Sequence, residues 1–342
     1  MRVRGARRRF RPGSRGVALL AVLWVTTLLA AIAVSFVGSI RTETTVTRNL
    51  VDSAKAQALA DAGVYRAIVA LYQGFEEVPS VAEAAELALP GTGTQDEAAA
   101  SAAALASAGP LKADGRPYLW SFEGSTLKIT VQSEAGKIDL NAGRNELLIA
   151  LMQANGVELG DAETLMDRID DFRDADSDRH PRGAEDEDYD AAGLKRGAKD
   201  APFATIEELQ QVLGMSRELY DRLAPAVTVY SEARGIDPLT APPAALRALP
   251  GMDQETLDAL LAERLAEDPD LSPFLSGFEA FLAGPAGLAY TIHSEAATAD
   301  GTRFLREAVV ALVPGSGRPF RLFVWRRGRL PDPPQDTVAR TD

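Results

Sequence analysis

The chain has 342 residues, 36 Lys and Arg against 49 Asp and Glu, a formal charge of −13, and no cysteine. That length leaves room for a membrane segment and two packed modules outside it. The absent cysteine excludes disulfides, Cys-based zinc sites and thiol catalysis. The acid excess makes nucleic acid a poor partner for the soluble part, because phosphate binding rests on clustered Lys and Arg.

Residues 1–16 carry seven arginines and no acid, so the rest of the chain stands at −20 once these seven are taken from the total of −13. From Val17 to Ile40 there are 24 residues without a charge. At ~1.5 Å per residue a helix of that length covers roughly 36 Å, enough to cross a hydrocarbon core of ~30 Å. The arginines hold the leader on the cytoplasmic side. Three readings stay open. A cleaved secretory signal, cut after Ala31-Ile32-Ala33, asks for a shorter apolar core. A plain anchor is the second. The third is a prepilin-type leader, cut after Gly16 so that Val17 starts the mature chain and the helix is retained. Glycine suits such a junction because a membrane protease needs extended, unencumbered backbone. Pilin-type sequences place Glu at the fifth mature position, where it neutralises a neighbouring subunit's amine; here that position is Ala21. A buried unpaired charge costs several kcal/mol. The missing Glu therefore either argues against a pilin or marks a subunit with nothing ahead of it, at a filament tip.

Beyond Arg41 the helical pattern continues, with Val46, Leu50, Ala54, Ala58, Ala62, Tyr65, Ile68 and Val69 at three- and four-residue spacing up to a stop at Gly74. Residues 76–110 are alanine-rich around a PGTGT stretch and read as a surface excursion. The period then becomes two. Leu127, Ile129 and Val131 alternate with polar residues as a half-buried strand, and Tyr118–Phe122 is its hairpin partner across Glu123-Gly124-Ser125.

Residues 138–284 read as helices. Residues 138–156 and 236–252 align at an offset of 98, with Ile138/Ile236, Asp139/Asp237, Leu148/Leu246, Ala150/Ala248 and Leu151/Leu249 identical. Phe203–Met215 has the same logic, with Thr205 as cap and a short amphipathic helix ended by glycine. Such units resemble helix-hairpin-helix or SAM-like modules. Their functional version would bind DNA through backbone amides at Pro250-Gly251-Met252; the alternative is compact helical packing, which the acid excess favours.

Asp170–Gly193 is the densest acidic stretch. Asp174, Asp176, Asp178 and Glu185 occupy positions 1, 3, 5 and 12 of a calcium-loop template, but Arg179 stands where an EF-hand needs glycine. Calcium in another loop geometry, with Asp186 and Asp188 as further candidate ligands, would screen this crowd of carboxylates. A solvated loop balanced by Arg173, Arg179 and Arg182 is the other reading. His180 brings no nucleophile or substrate pocket with it, so the pattern carries no enzyme.

After Gly284-Pro285 the two-residue period returns in Leu288, Tyr290 and Ile292, then in Arg303–Val313 and Phe320–Trp325, with a turn at Pro314–Gly317. His293 falls on a polar strand face as a structural residue. The Pro- and Asp-rich tail from Leu330 reads as disordered. The economical architecture is α+β, with the N-terminal helix on an antiparallel sheet of residues 118–135 and 288–327 and a helical block inserted between them.

The segments RGVALLAVLWV, KIDLNAGRNELL, DDFRDADSDRHPRGAEDEDY, APFATIEELQQVLGMSRELYDRLAPAVTVYS, GIDPLTAPPAALRALPGM and YTIHSEA occur in the order, and over the span 15–326, typical of one family. The chain resembles the minor pseudopilin K of type II secretion systems, and Ala21 agrees with that family. The resemblance implies a pilin-like fold with a large inserted all-α domain and bound calcium. It implies a place at the pseudopilus tip with minor pseudopilins I and J, in contact with other pseudopilus subunits, and no role in nucleic-acid binding or catalysis. It implies cleavage after Gly16 and methylation of Val17 by a prepilin peptidase, a single inner-membrane span, and a C-terminal domain in the periplasm. The expected divisions are leader 1–16, membrane helix 17–40, pilin-like parts 41–137 and 285–329, insertion 138–284 and tail 330–342.

Overall fold

The structure, a computed structural model, describes residues 15–73, 111–122, 124–266, 268–284, 287–315 and 317–330. The leader up to residue 14, the excursion 76–110, the tail 331–342, and Glu123, Pro285 and Ser316 of the expected turns lie outside the described residues. The chain divides into two compact units, Met1–Lys55 and Ala56–Asp342.

Helix α1, Arg15–Gln73, begins in the first unit. There the stretch Leu19–Phe36 has a mean hydropathy of 2.4 and none of it is buried, so it is long and apolar enough to cross a membrane. Its two threonines keep their hydroxyls out of lipid: Thr26 donates to Leu23 O at 2.9 Å and Thr27 to Trp24 O at 3.1 Å. Gly16 and Val17 sit in the first turn of this helix.

In the second unit α1 buries Ala56, Ala60, Val64, Ala67, Ile68 and Leu71, a stripe at helical spacing. It packs on strands that follow. The hairpin of β1 (Asp114–Phe122) and β2 (Ser125–Ser133) forms where two-residue alternation placed it. The chain then leaves the sheet for some 150 residues before returning through β5 (Ala289–Ala297), β6 (Arg303–Leu312) and β7 (Phe320–Arg327). Between them lie two two-residue strands, β3 (Ile138–Asp139) and β4 (Val227–Thr228), which pair with each other in parallel. The main sheet is antiparallel throughout, in the order β1-β2-β5-β6-β7.

Alternation gives this sheet two different faces. Leu127, Ile129, Val131, Ile292, Ala296, Phe304, Ala308 and Val310 turn toward α1 and form one core with it. The small residue Gly63 permits the close approach: a Cβ there would lie 2.1 Å from Ser294 Oγ and 3.0 Å from Leu127 Cδ2. Arg306, buried among these residues, pairs with Asp61 of α1 at 2.5 Å.

The segment between β2 and β5 has its own core, built from helices α2 (Asn145–Ala154), α3 (Leu159–Arg173), α4 (Asp186–Ala191), α5 (Arg217–Leu223), α6 (Pro243–Arg247), α7 (Gln254–Glu263) and α8 (Ser272–Leu275). Two expectations need correction. The block is not all-α, because β3 and β4 cross it. Phe203–Met215 holds a 3-10 turn, Ile206–Gln211, in place of an amphipathic α-helix, and the Thr205 side chain makes no cap hydrogen bond. The Ala204 N–H instead donates to Glu208 Oε2 at 2.7 Å.

The 98-residue repeat is physical. Ile138 and Ile236 are both fully buried. Asp139 Oδ1 accepts from the Asn141 and Ala142 amides at 2.8 and 3.0 Å, and Asp237 Oδ1 from the Leu239 amide at 3.0 Å. In each copy the aspartate's carbonyl then accepts from the amide four residues on, Gly143 or Ala241. The conserved role of the pair is to turn the chain into α2 and α6.

The block rests on the sheet face opposite α1. Gln132 of β2 donates to Thr240 O at 2.5 Å, and Asp237 N–H to Ala135 O at 2.8 Å. Tyr230 stacks on Phe323 with centroids 4.9 Å apart. Arg326 of β7 bridges Glu307 of β6, at 2.5 Å, and Glu207 of the block. Buried Glu134 accepts from Lys137 at 2.7 Å and from the hydroxyls of Thr228 and Thr291 at 2.5 Å each. A cavity of about 370 Å³ remains in this seam, lined in part by Glu134, Lys137, Tyr230, His293 and Glu307.

Candidate metal centre

Helix α3 drives Leu165, Met166, Ile169 and Phe172 into the core of the block. Asp167 and Asp171 lie one turn apart on another face of the same helix, and Asp174 caps its C-terminus in extended backbone. The loop that follows folds back along that face. Arg182 N–H donates to Asp167 Oδ2 and His180 N–H to Asp171 Oδ1, each at 3.1 Å. The His180 ring Nδ1 lies 2.5 Å from the same Asp171 oxygen. Gly183 is required by this return, since a Cβ there would sit 1.8 Å from Asp171 Oδ2.

Three carboxylates of this region have buried oxygens with their needs unmet. Asp171 is fully buried, and its Oδ2 has no hydrogen-bond partner. Asp174 Oδ1 and Glu185 Oε1 are also buried and unpartnered. Such atoms are costly to leave unpaired. The Glu185 carboxyl is pushed up from its ordinary 4.5 to about 7, first by desolvation and then by the charges of Asp171, Asp174, Asp200 and Asp186. Desolvation also raises Asp174, with help from Asp176 and Asp171. His180 is raised in turn by its hydrogen bond to Asp171.

The loop arginines do not relieve this crowding. Arg173 pairs with Asp170 at 2.6 Å and donates to Leu140 O. Arg179 pairs with Asp188 at 3.1 Å, and Arg182 with Glu163 at 2.8 Å. Each neutralises a carboxylate at the rim. What remains inside is a set of hard oxygen donors without donors of their own, which fits a divalent cation such as calcium.

Of the six carboxylates expected to bind metal, Asp174 alone joins the cluster, and Glu185 lies near enough for its charge to feel Asp171 and Asp174. Asp176 and Asp178 are exposed; the Asp178 N–H donates to Asp176 Oδ1 at 3.0 Å in a local turn. Asp186 is exposed and packs against Gly197, where a Cβ would meet its Oδ1 at 1.6 Å. Asp188 is engaged by Arg179 and by the Glu185 N–H at 3.0 Å, which hold its carboxyl below the usual range. Sequence reasoning missed Asp171. Its signal was the four-residue step from Asp167 to Asp171 on one helix face, hidden by a template that started at position 174. Among the described residues, the only cluster of three metal-ligating groups is Asp171, Asp174 and His180.

Residues 128–232, from β2 through this loop to the end of β4's surroundings, match the family described as type II secretion system (T2SS), protein K. That match covers most of strand β2 and the first part of the helical block. The domain match and the fold together support a minor pseudopilin of the type II secretion system, and neither supports the DNA-binding alternative. The fold is similar to a chain in the crystal structure of the GspK-GspI-GspJ complex from the type 2 secretion system of enterotoxigenic Escherichia coli. The TM-score is 0.51 at 19% identity, over 85% of this chain and 99% of that one. No curated protein sequence matches this pseudopilin.

Proposed function

We propose that this pseudopilin sits at the tip of the pseudopilus, bound to minor pseudopilins I and J, where it nucleates and caps the filament for protein export. The observation that carries the reading is the bulk of the helical block, emerging between β2 and β5 and fixed to the sheet face opposite α1. A subunit so enlarged fits a filament end better than its repeating shaft. Ala21 supports the same place, because a tip subunit has no preceding amine to neutralise. A relative of the same fold comes from a complex of three such proteins. On this reading residues 17–40 anchor the chain once in the inner membrane, the remainder lies in the periplasm, a prepilin peptidase cuts after Gly16 and methylates Val17, and residues 138–284 form the insertion. The role is assembly, without catalysis.

Calcium belongs to the proposal as a structural ion. Asp171, Asp174 and Glu185 would hold it, and its charge would replace the missing donors and tie the loop to α3. Co-expression with the host's minor pseudopilins I and J tests the tip assignment. The expected result is a 1:1:1 complex on gel filtration in detergent; a chain that elutes alone while I and J pair with each other would refute it.

A further inference from the structure

Residues 248–284, the last part of the helical block, contribute nothing to the seam cavity or to the acidic loop. Their arrangement follows from one close contact. Fully buried Ile236 runs parallel to Leu282, its amide donating to Phe281 O at 3.0 Å and its carbonyl accepting from the Ala283 amide at 2.9 Å. Gly235 lets the two segments meet, since a Cβ there would lie 2.4 Å from Phe281 O. The pairing brings Pro238 and Leu239 to Leu282, and α8 adds Leu275. The result is an open groove of about 570 Å³, walled by Pro238, Leu239, Pro269, Leu271, Leu275 and Leu282. That volume falls among ligand pockets of ~300–1,000 Å³. Leu239 is 47% exposed in it, so the groove offers apolar surface to a visitor.

Two carboxylates, Asp270 and Glu279, line the same groove. The Ser272 N–H donates to Asp270 Oδ1 at 3.0 Å, and the Gly277 N–H lies 3.0 Å from both oxygens of Glu279. The Ser272 hydroxyl and amide hold Asp270, and the Gly277 amide holds Glu279, below the usual carboxylate range, so both stay charged. Around them, residues 248–284 carry eight acids and one base, a net −7. The base, Arg264, is buried and donates to Ala241 O at 2.7 Å. Among the described residues none of these acids is in an ion pair, whereas Glu207 and Glu208 earlier in the block pair with Arg326 and Lys199. An unneutralised negative field around an apolar groove selects a positive partner with an apolar anchor. The chain's own segments have the wrong sign: residues 76–97 hold six acids and no base, and residues 331–342 three acids and one arginine. The basic leader, on the reading above, stays across the membrane. We infer that this groove docks a segment of another protein, in which an apolar side chain is flanked by lysines or arginines. The inference borrows the sidedness of the leader and is independent of the tip assignment and of any cation in the acidic loop.

The experiment places the full chain in phosphatidylcholine nanodiscs, with empty discs as background, and follows the anisotropy of fluorescein-labelled peptides. The probe is a Lys-Leu-Lys repeat. A Lys-Ser-Lys repeat removes the apolar anchor, and a peptide of residues 76–97 reverses the charge. Wild type should bind the leucine peptide saturably, about tenfold tighter than the serine peptide, as expected for an interface anchor. Binding should weaken as salt rises. Leu239→Arg should weaken it by about tenfold. Asp270→Asn with Glu279→Gln, which keeps the oxygens that accept from the backbone, should weaken it severalfold and flatten the salt dependence. Leu119→Arg, at a 76% exposed leucine on β1, should change nothing. The inference is overturned if wild-type discs bind the probe no better than empty ones, if Leu239→Arg binds as wild type does, or if Leu119→Arg loses binding. A preference for the 76–97 peptide also overturns it, by seating the chain's own segment in the groove. So does self-association that Leu239→Arg abolishes, which would give the groove to a second copy. If Leu239→Arg melts early by circular dichroism, the three peptides on wild type and the doubly substituted chain still decide.

Discussion

Glu185→Gln isolates the electrostatic core of the account. The substitution keeps the side chain's shape and removes one of three charges whose buried oxygens lack partners. With its folded pKa raised from 4.5 to about 7, Glu185 favours the folded state when protonated, so wild-type stability in chelator should fall as pH rises from about 4.5 through about 7. A shift of that size corresponds to roughly 3 kcal/mol if unscreened. Glu185 is only half-buried at the loop rim, and solvent screening reduces the effect to ~1–2 kcal/mol. For a chain of this size that amounts to about 2–6 °C in melting temperature. The assay is thermal unfolding in detergent, followed by circular dichroism at pH 5 and pH 8, with EDTA and with calcium. Glu185→Gln should melt higher than wild type at pH 8 in EDTA, lose most of the pH 5 to pH 8 difference, and gain less from calcium. A variant that is destabilised in EDTA at pH 8, with the pH difference intact, would refute the claim that three charges repel one another here.

Other consequences follow from the same packing. Gly63→Val should cost about 1–3 kcal/mol in a urea titration, because its Cβ would overlap Ser294 Oγ at the α1–sheet contact; an unchanged midpoint would mean the helix does not dock there. Arg326→Gln removes the bridge from Glu307 to Glu207. Glu307, held down to about 2 by His293 and Arg326, should then titrate higher by carbon-detected NMR. Since that depressed pKa contributes stability present above pH ~4.5 and lost toward pH ~2, the acid loss should shrink in the variant. Ile236→Ala opens a cavity in the core of the helical block and should cost about 2–5 kcal/mol. Loss of tertiary signal confined to that block would show how independently it folds.

The elements legible in the sequence were those whose pattern is local. Leu127-Ile129-Val131 and Tyr290-Ile292 announced strands because alternate side chains meet one core, and the 98-residue repeat survived because Asp139 and Asp237 both close a turn over the next few residues. The acidic loop was also visible as a cluster. What stayed hidden depended on distant partners. Ile138 pairs with Val227 across 89 residues, and two-residue strands leave no period to read. Asp171 has the same composition as its exposed neighbours; only the loop's return over α3, fixed by His180 and Gly183, buries it. Phe203–Met215 carries helical spacing, but its amides at the start are taken by Glu208 and Asn141, and the turn tightens to 3-10.

The most direct test of membership in the pilin class is N-terminal mass spectrometry of the membrane-extracted protein, with and without the host's prepilin peptidase. The account predicts a mature chain that starts at a methylated Val17 and an uncut chain when the peptidase is missing. A start at Met1 with the peptidase present, or a start after Ala33, would contradict it.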